Sequence, residues 1–219
     1  MNILCKYLPN IKNLACVAIR SNTLQINKMS SCNNSPKSEA KRIVWVDLEM
    51  TGLDVDKDHI LEIACLVSDA DLNVVATGPN IAINQPDEIL NSMGEWCTAH
   101  HGESGLTKAC RESTISLIEA ENQVLKFLKT HVPEKKCPLG GNSVYMDRLF
   151  IRKYMPRVND YLHYRIIDVS SFKEIIMRWF PKEYSNIPKK KFAHRGMDDI
   201  LESLAELKYY KDNVFKNQC

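Results

Sequence analysis

The apolar run Ile43-Val-Trp-Val-Asp-Leu-Glu49 ends on two carboxylates one residue apart. Residues i and i+2 of a strand project to the same face, so Asp47 and Glu49 stand side by side. Two adjacent carboxylates repel and are costly to hold ionised without a counter-charge. A divalent cation supplies that charge, and hard oxygen ligands suit magnesium or manganese. Asp147 and Asp199 extend the acidic set downstream, and His194 lies five residues before Asp199. Each has a plainer reading. Acidic residues close many strands on a solvated face, and Asp147, Asp198 and Asp199 all suit a helix cap or first turn, where the dipole favours negative charge. The combination, Asp-x-Glu followed by Asp and then His-x4-Asp in this order, is much less easily due to chance and points to a metal-dependent active site.

The elements that must hold these groups follow from the hydrophobic pattern. Residues 43–49 read as a buried strand followed by a turn at Thr51-Gly52, and 60–68 and 72–84 as two more strands, with a hairpin turn at Asp69-Ala-Asp71. Three strands joined by tight turns predict an antiparallel meander. Helices are predicted over 86–93, 113–130 and 146–155, the last ending before Pro156. Residues 138–142 read as a short strand and 164–167 as another. Asp168 caps a helix running to Phe180, a Pro- and Lys-rich loop spans 181–195, and a last helix covers 197–210. A meander followed by alternating strand and helix defines an α/β domain with a mixed sheet.

The chain has 219 residues, room for one substantial domain and a tail. Its 44% hydrophobic and 26% charged content is ordinary for a globular protein, and no apolar run is long enough to cross a bilayer. Eight cysteines without a Cys-x-x-Cys pair favour reduced thiols in an intracellular compartment over a disulfide framework. Cys97 with His100 and His101 forms a second candidate metal cluster, a weak one without another cysteine pair. The net charge of +2 hides an asymmetry. Residues 1–39 hold five of the 29 basic and one of the 27 acidic residues, leaving 24 basic and 26 acidic over 40–219, a net −2. A mildly acidic body is poorly suited to coating long nucleic acids, so a polyanionic substrate must be short and held by a local site. The basic, Ser/Asn-rich segment 1–39 has the composition of a mitochondrial transit peptide, against the alternative of a disordered extension without an address. Initiation at Met29 would give a cytosolic or nuclear form.

The chain from Arg42 to Phe215 resembles the oligoribonucleases, within the superfamily of 3′-to-5′ exonucleases marked by four acidic residues and a histidine. The resemblance is carried by Trp45-Val-Asp-Leu-Glu-Met-Thr-Gly-Leu-Asp54, Ile60-Leu-Glu-Ile-Ala64, Gly141-Asn-Ser-Val-Tyr-Met-Asp-Arg148, Lys153-Tyr-Met-Pro156, His163-Tyr-Arg165, Asp168-Val-Ser-Ser171 and His194-Arg-Gly-Met-Asp-Asp-Ile200. Gly196 stands where alanine is expected of the family, and the loop before His194 differs in length and charge. The resemblance implies a ribonuclease H-like, mixed five-stranded sheet with an antiparallel three-stranded portion, flanked by helices, over residues 40–219. It implies hydrolysis of short RNA, down to dinucleotides, by two magnesium or manganese ions held by Asp47, Glu49, Asp147 and Asp199, with His194 as general base. A broader single-strand exonuclease that also takes DNA, and a non-catalytic nucleotide-binding module, are the competing readings. Leu53 and Trp96 would wedge against bases and Ser143 would reach a phosphate or sugar. Tyr164, Arg165 and Ser170 would come from the partner subunit of a homodimer and enclose the 5′ phosphate. No membrane association is implied. The plain alternatives are a turn-flanking Leu53, a core-filling Trp96, ordinary strand residues at Tyr164 and Arg165, and a solvated Lys189-Lys-Lys191 loop.

Overall fold

A computed structural model of the chain describes residues 36–188 and 195–215. The transit-peptide and Met29 expectations, the Lys189–Lys191 loop and His194 lie outside the described residues. A one-turn helix α1 (Pro36–Glu39) leads into strand β1 (Ile43–Met50), β2 (Ile60–Ser68) and β3 (Val74–Ala82). Helices α2 (Asp87–Leu90), α3 (Glu95–Glu103), α4 (Leu106–Glu112) and α5 (Leu117–His131) follow, then β4 (Leu139–Gly141), α6 (Tyr145–Tyr154) and α7 (Pro156–Tyr161). Strand β5 (Ile166–Asp168) and helices α8 (Val169–Trp179), α9 (Pro181–Tyr184) and α10 (Gly196–Asn213) complete the domain. The five strands lie in the order β3-β2-β1-β4-β5. β1, β2 and β3 pair antiparallel, and β1 pairs parallel with β4, which pairs parallel with β5. The expected mixed sheet with an antiparallel portion is therefore present.

β1 is the central strand, and its alternate residues feed two cores. Val44, Val46 and Leu48 face a cluster with Val124 and Leu128 of α5, Phe150 and Ile151 of α6 and Val158 of α7. Ile43 and Trp45 face the opposite cluster, with Val169 and Ile176 of α8 and Ile200, Leu204 and Tyr210 of α10. Burial on both faces makes the strand a continuous apolar run. Trp45 is fully buried, as a core reading predicts, and its indole N–H donates to Ser68 Oγ at 2.9 Å. The alternation places Asp47 and Glu49 on the α10 side of the sheet, where the strand emerges from the core.

Several boundaries differ from expectation for identifiable reasons. β1 and β2 are joined by a nine-residue loop rather than a tight turn, and Asp58 organises it. Its carboxylate accepts from Thr51 Oγ1 at 2.8 Å and from Asp54 N at 2.8 Å, and a Cβ on Gly52 would fall 2.4 Å from Asp58 Oδ2. Only glycine fits that approach. Tyr154 Oη donates to Asp58 O and Lys153 Nζ to Val55 O, each at 2.7 Å, so the Lys153-Tyr-Met-Pro motif fastens this loop. Pro156 does not merely stop α6; it occupies the first turn of α7, where its missing N–H costs nothing. Helices α3 and α4 were not expected, and α9 occupies part of the predicted loop. The 164–167 strand starts instead at Ile166, leaving Tyr164 and Arg165 exposed ahead of it. Among the described residues no helix is long and apolar enough to cross a membrane.

Candidate active site

Asp47 and Glu49 leave the end of β1 on one face, and α10 brings Asp199 to them from its first turn. Carboxylate oxygens of the three lie within 4.8 Å of one another. The cluster is half-buried, and its electrostatics are those of a site short of positive charge. Burial raises the Asp47 carboxyl well above the usual carboxylate range, and the charges of Asp147, Glu49, Asp199 and Glu62 raise it further. Burial likewise pushes Glu49 up to about 8, with repulsion from Asp199, Glu62 and Asp147 adding to it and Arg195 opposing it. Three convergent hard oxygen donors that cannot comfortably ionise together fit a divalent cation such as magnesium or manganese.

Asp147 approaches from the opposite side, in the first turn of α6. Its Oδ1 accepts from Leu48 N at 2.8 Å, locking it to β1 between Asp47 and Glu49. Burial pushes its carboxyl to about 7, although this hydrogen bond pulls the other way. It stands next to the three-carboxylate group rather than within it.

These shifts give stability a pH dependence with a definite sign. Folded-state values raised to about 8 and about 7 mean that the metal-free protein keeps protons the unfolded chain has already lost. The associated stability is complete below the ordinary carboxylate range and is lost as pH rises through the folded values. The melting temperature of the metal-free protein should therefore fall between about pH 5 and pH 8.5. Magnesium should raise it more at the upper end, because metal binding displaces these protons. Calorimetry in chelator and in magnesium across that range checks this; a flat metal-free profile would contradict it.

The expected substrate-contacting residues fall into two groups. Leu53 and Trp96 are 66% and 59% exposed, so Trp96 is not the core filler of the alternative reading. Its ring stacks on His100 with centroids 4.0 Å apart. Ser143 has φ +49°, a left-handed conformation uncommon outside glycine, in the turn between β4 and α6. Its N–H is shared by Asp168 Oδ1 and Ser170 Oγ at 3.1 and 3.0 Å, and its hydroxyl donates to Ser170 Oγ at 3.2 Å. Parallel pairing of β4 with β5 brings the start of α8 beside the β4–α6 turn, so Ser170 joins Ser143 of its own chain. Asp168 is the cap it was expected to be, accepting from Ser170 N and Ser171 N. Tyr164 is 73% exposed and carries the Arg165 guanidinium 5.3 Å from its ring centroid.

The cluster also touches residues that sequence reasoning assigned no role. His101 of α3 is buried, with Nε2 2.9 Å from Met50 O and Nδ1 3.8 Å from Glu49 Oε2. Cys97 and His100 do not join it as a metal site: His100 Nδ1 lies 2.8 Å from Trp96 O, and among the described residues Asp47, Glu49 and Asp199 form the one group that could hold an ion. Glu62 lies opposite Glu49 in the β1–β2 pairing, and Arg195 Nε is 3.5 Å from Glu62 Oε2. Cross-strand register, the signal that would have singled out Glu62, is not present in a local pattern.

An acidic cluster at the edge of a central strand in this mixed sheet defines an exonuclease domain. Residues 44–207 match the RNase T family, described as Exonuclease. The fold is also that of solved exonuclease I structures. One, titled as the Escherichia coli enzyme in complex with a dA16 oligonucleotide, aligns with a TM-score of 0.64 at 17% identity over 80% of this chain and 41% of that one. The chain thus spans about two fifths of those enzymes, and the likeness is one of fold. Among sequence relatives, the Homo sapiens "Oligoribonuclease, mitochondrial" is 57% identical over 182 residues, 83% of this chain and 77% of that protein. The Drosophila melanogaster "Probable oligoribonuclease" is 58% identical over 80% of this chain and 82% of its own. The Pseudomonas aeruginosa "Oligoribonuclease" is 51% identical over 80% and 97%. The chain belongs to the oligoribonuclease family.

Proposed function

We propose that this chain hydrolyses short oligoribonucleotides from the 3′ end, down to dinucleotides, releasing 5′-mononucleotides. The observation that carries this reading is the convergence of Asp47, Glu49 and Asp199 in a chain of this family. These three, with Asp147 beside them, would hold two divalent ions, magnesium or manganese. When bound, the ions supply the positive charge that neutralises the phosphate and lowers the proton affinity of the attacking water. His194 takes the proton from that water. The exposed Leu53, four residues beyond Glu49, and Trp96, on the helix whose His101 reaches Met50, lie against the bases. Stacking on an aromatic face serves any base equally. The paired hydroxyls of Ser143 and Ser170 receive a phosphate of the substrate.

Tyr164 and Arg165 stand exposed and bonded to each other by a cation–π contact, which suits them to act on a second copy of the chain. In a homodimer they close the 5′ end of the partner's site, where the planar guanidinium clamps phosphate oxygens. A closed 5′ end excludes long chains sterically. Residues 1–39 direct the protein to mitochondria, the compartment printed in the name of the human relative, and residues 40–219 form the exonuclease domain. Initiation at Met29 yields a form outside that compartment; comparing the distribution of the full chain with that of Met29→Ala in fractionated cells tests it.

A ladder of 5′-phosphorylated RNA and DNA from two to about twenty nucleotides tests the substrate reading. The two-nucleotide RNA should be cleaved fastest, with rates falling steeply as length grows and when the 5′ phosphate is removed. Equal rates at all lengths would rule out the closed end. Equal rates on DNA would make the chain a general single-strand exonuclease.

A further inference from the structure

We propose that Glu62 and Arg195 act as a positioning clamp: the ion pair between the buried Glu62 and the partly exposed Arg195 ties the start of α10, and with it Asp199, to β2 beside Glu49. The inference rests on reading Asp47, Glu49 and Asp199 as metal ligands.

Glu62 is 1% exposed in the interior of β2 and pairs across the sheet with Glu49. A carboxylate there adds negative charge to a cluster already crowded with it. Arg195 Nε stands 3.5 Å from Glu62 Oε2, and the Arg195 guanidinium is the largest influence holding the Glu62 carboxyl down against burial. An ion pair with one partly exposed partner adds little to stability, whereas a buried carboxylate needs a partner, and its geometry gives the pair a further role. Glu62 and Ala64 share one face of β2, and consecutive residues of the incoming chain, Arg195 and Gly196, dock on them. A Cβ on Gly196 would fall 2.9 Å from the Ala64 Cβ, so α10 begins in close contact with the strand. Arg195 is the N-cap residue of α10; its guanidinium, a donor only, cannot cap the helix and is directed at Glu62. The Arg195 carbonyl accepts from Asp199 N at 3.1 Å, the first hydrogen bond of the helix. Two links in series, Glu62 to Arg195 and Arg195 to Asp199, connect β2 to the third carboxylate. In the chain, Arg195 also directly follows His194.

The clamp and a mere charge neighbour predict opposite signs for one substitution. Arg195→Met removes a cation from beside three carboxylates. If Arg195 acts only through its charge, manganese binds as tightly as before or more tightly. If it positions Asp199, manganese binds more weakly, by about tenfold, the size typical of residues that orient metal ligands. Manganese titration followed by the electron paramagnetic resonance of the free ion reads this directly on the full chain, without turnover. Arg195→Lys, which keeps a cation able to reach Glu62, should recover most of the affinity. Glu62→Gln combined with Arg195→Met should bind no more weakly than the worse single variant, because both remove the same pair. Unchanged or tighter binding in Arg195→Met, or fully additive losses, would overturn the proposal. The Arg195 side chain is 42% exposed, so its variants carry the test even where Glu62→Gln fails to fold. Cleavage of the two-nucleotide RNA is measured alongside. A wild-type protein that shows the expected manganese pattern but no cleavage leaves the clamp standing and removes the proposed substrate; one that binds no manganese removes the clamp.

Discussion

Asp47→Asn should lower kcat on a two-nucleotide RNA by about a thousandfold or more while raising the melting temperature of the metal-free protein. The two effects share one cause. Asp47, Glu49 and Asp199 present carboxylate oxygens within 4.8 Å of one another, and each raises the proton affinity of its neighbours. The arrangement is unfavourable in the protein alone and favourable only around cations. An asparagine keeps the shape and one oxygen of the carboxylate but not its charge, so it is a poor ligand for a hard divalent ion. It also removes a carboxyl whose ionisation is opposed by burial and by the charges of Asp147, Glu49, Asp199 and Glu62. The gain should grow as pH rises through about 8, the value to which Glu49 is pushed, and should shrink toward the ordinary carboxylate range, where the raised Asp47 carboxyl keeps its proton. A stabilisation of ~1 kcal/mol moves the midpoint of a chain this size by about 2–4 °C. Steady-state kinetics in magnesium and calorimetry in chelator give the two readings. Retained turnover would remove Asp47 from the metal site, and a lowered melting temperature would mean that the cluster is already neutralised by protein groups.

How far this site was legible in the sequence follows from which interactions are local. Asp47 and Glu49 are two residues apart on one strand, so period-two geometry places them together without a tertiary structure. Asp199 was reached through its spacing from His194 and its place in a helix first turn. Glu62 was not, because what brings it opposite Glu49 is the register between two strands. The closeness of Ser170 to Ser143 escaped notice for a similar reason. Its neighbour Ser143 is 27 residues away, and only the parallel β4–β5 pairing joins their turns. Helices α3 and α4 escaped notice because residues 94–112 carry no apolar stripe; His101, Leu106 and Cys110 are the buried residues of the two helices. Trp96, expected as a wedge against a base, and His100, part of a weak alternative metal cluster, stack on each other at the surface. β1 and β2 were clear throughout, since burial on both faces leaves uninterrupted apolar runs.

His194→Ala should lower kcat by about 10²–10⁴, the usual contribution of a general base, while leaving magnesium-dependent stabilisation of the protein intact. The cluster itself has no free base to offer. Carboxylates that hold cations have their lone pairs engaged, and Asp147 already accepts from Leu48 N. The described histidine that touches the cluster, His101, is 1% exposed and has its Nε2 against the Met50 carbonyl, so it cannot meet an incoming water. His194 is bonded in the chain to Arg195, whose side chain is fixed to Glu62 and whose carbonyl begins α10. An imidazole ordinarily titrates near 6.5, so the wild-type rate should climb with pH through the neutral range and then level off as the base becomes fully deprotonated. In the alanine variant that plateau should disappear, because the rate then depends on hydroxide from solvent. Single-turnover rates across pH, with calorimetry in magnesium on the same samples, separate the alternatives. A variant that loses the magnesium stabilisation would make His194 a ligand. One that keeps both its rate and its plateau would place the base elsewhere, and the ordering of α10 by Arg195 would then serve Asp199 alone.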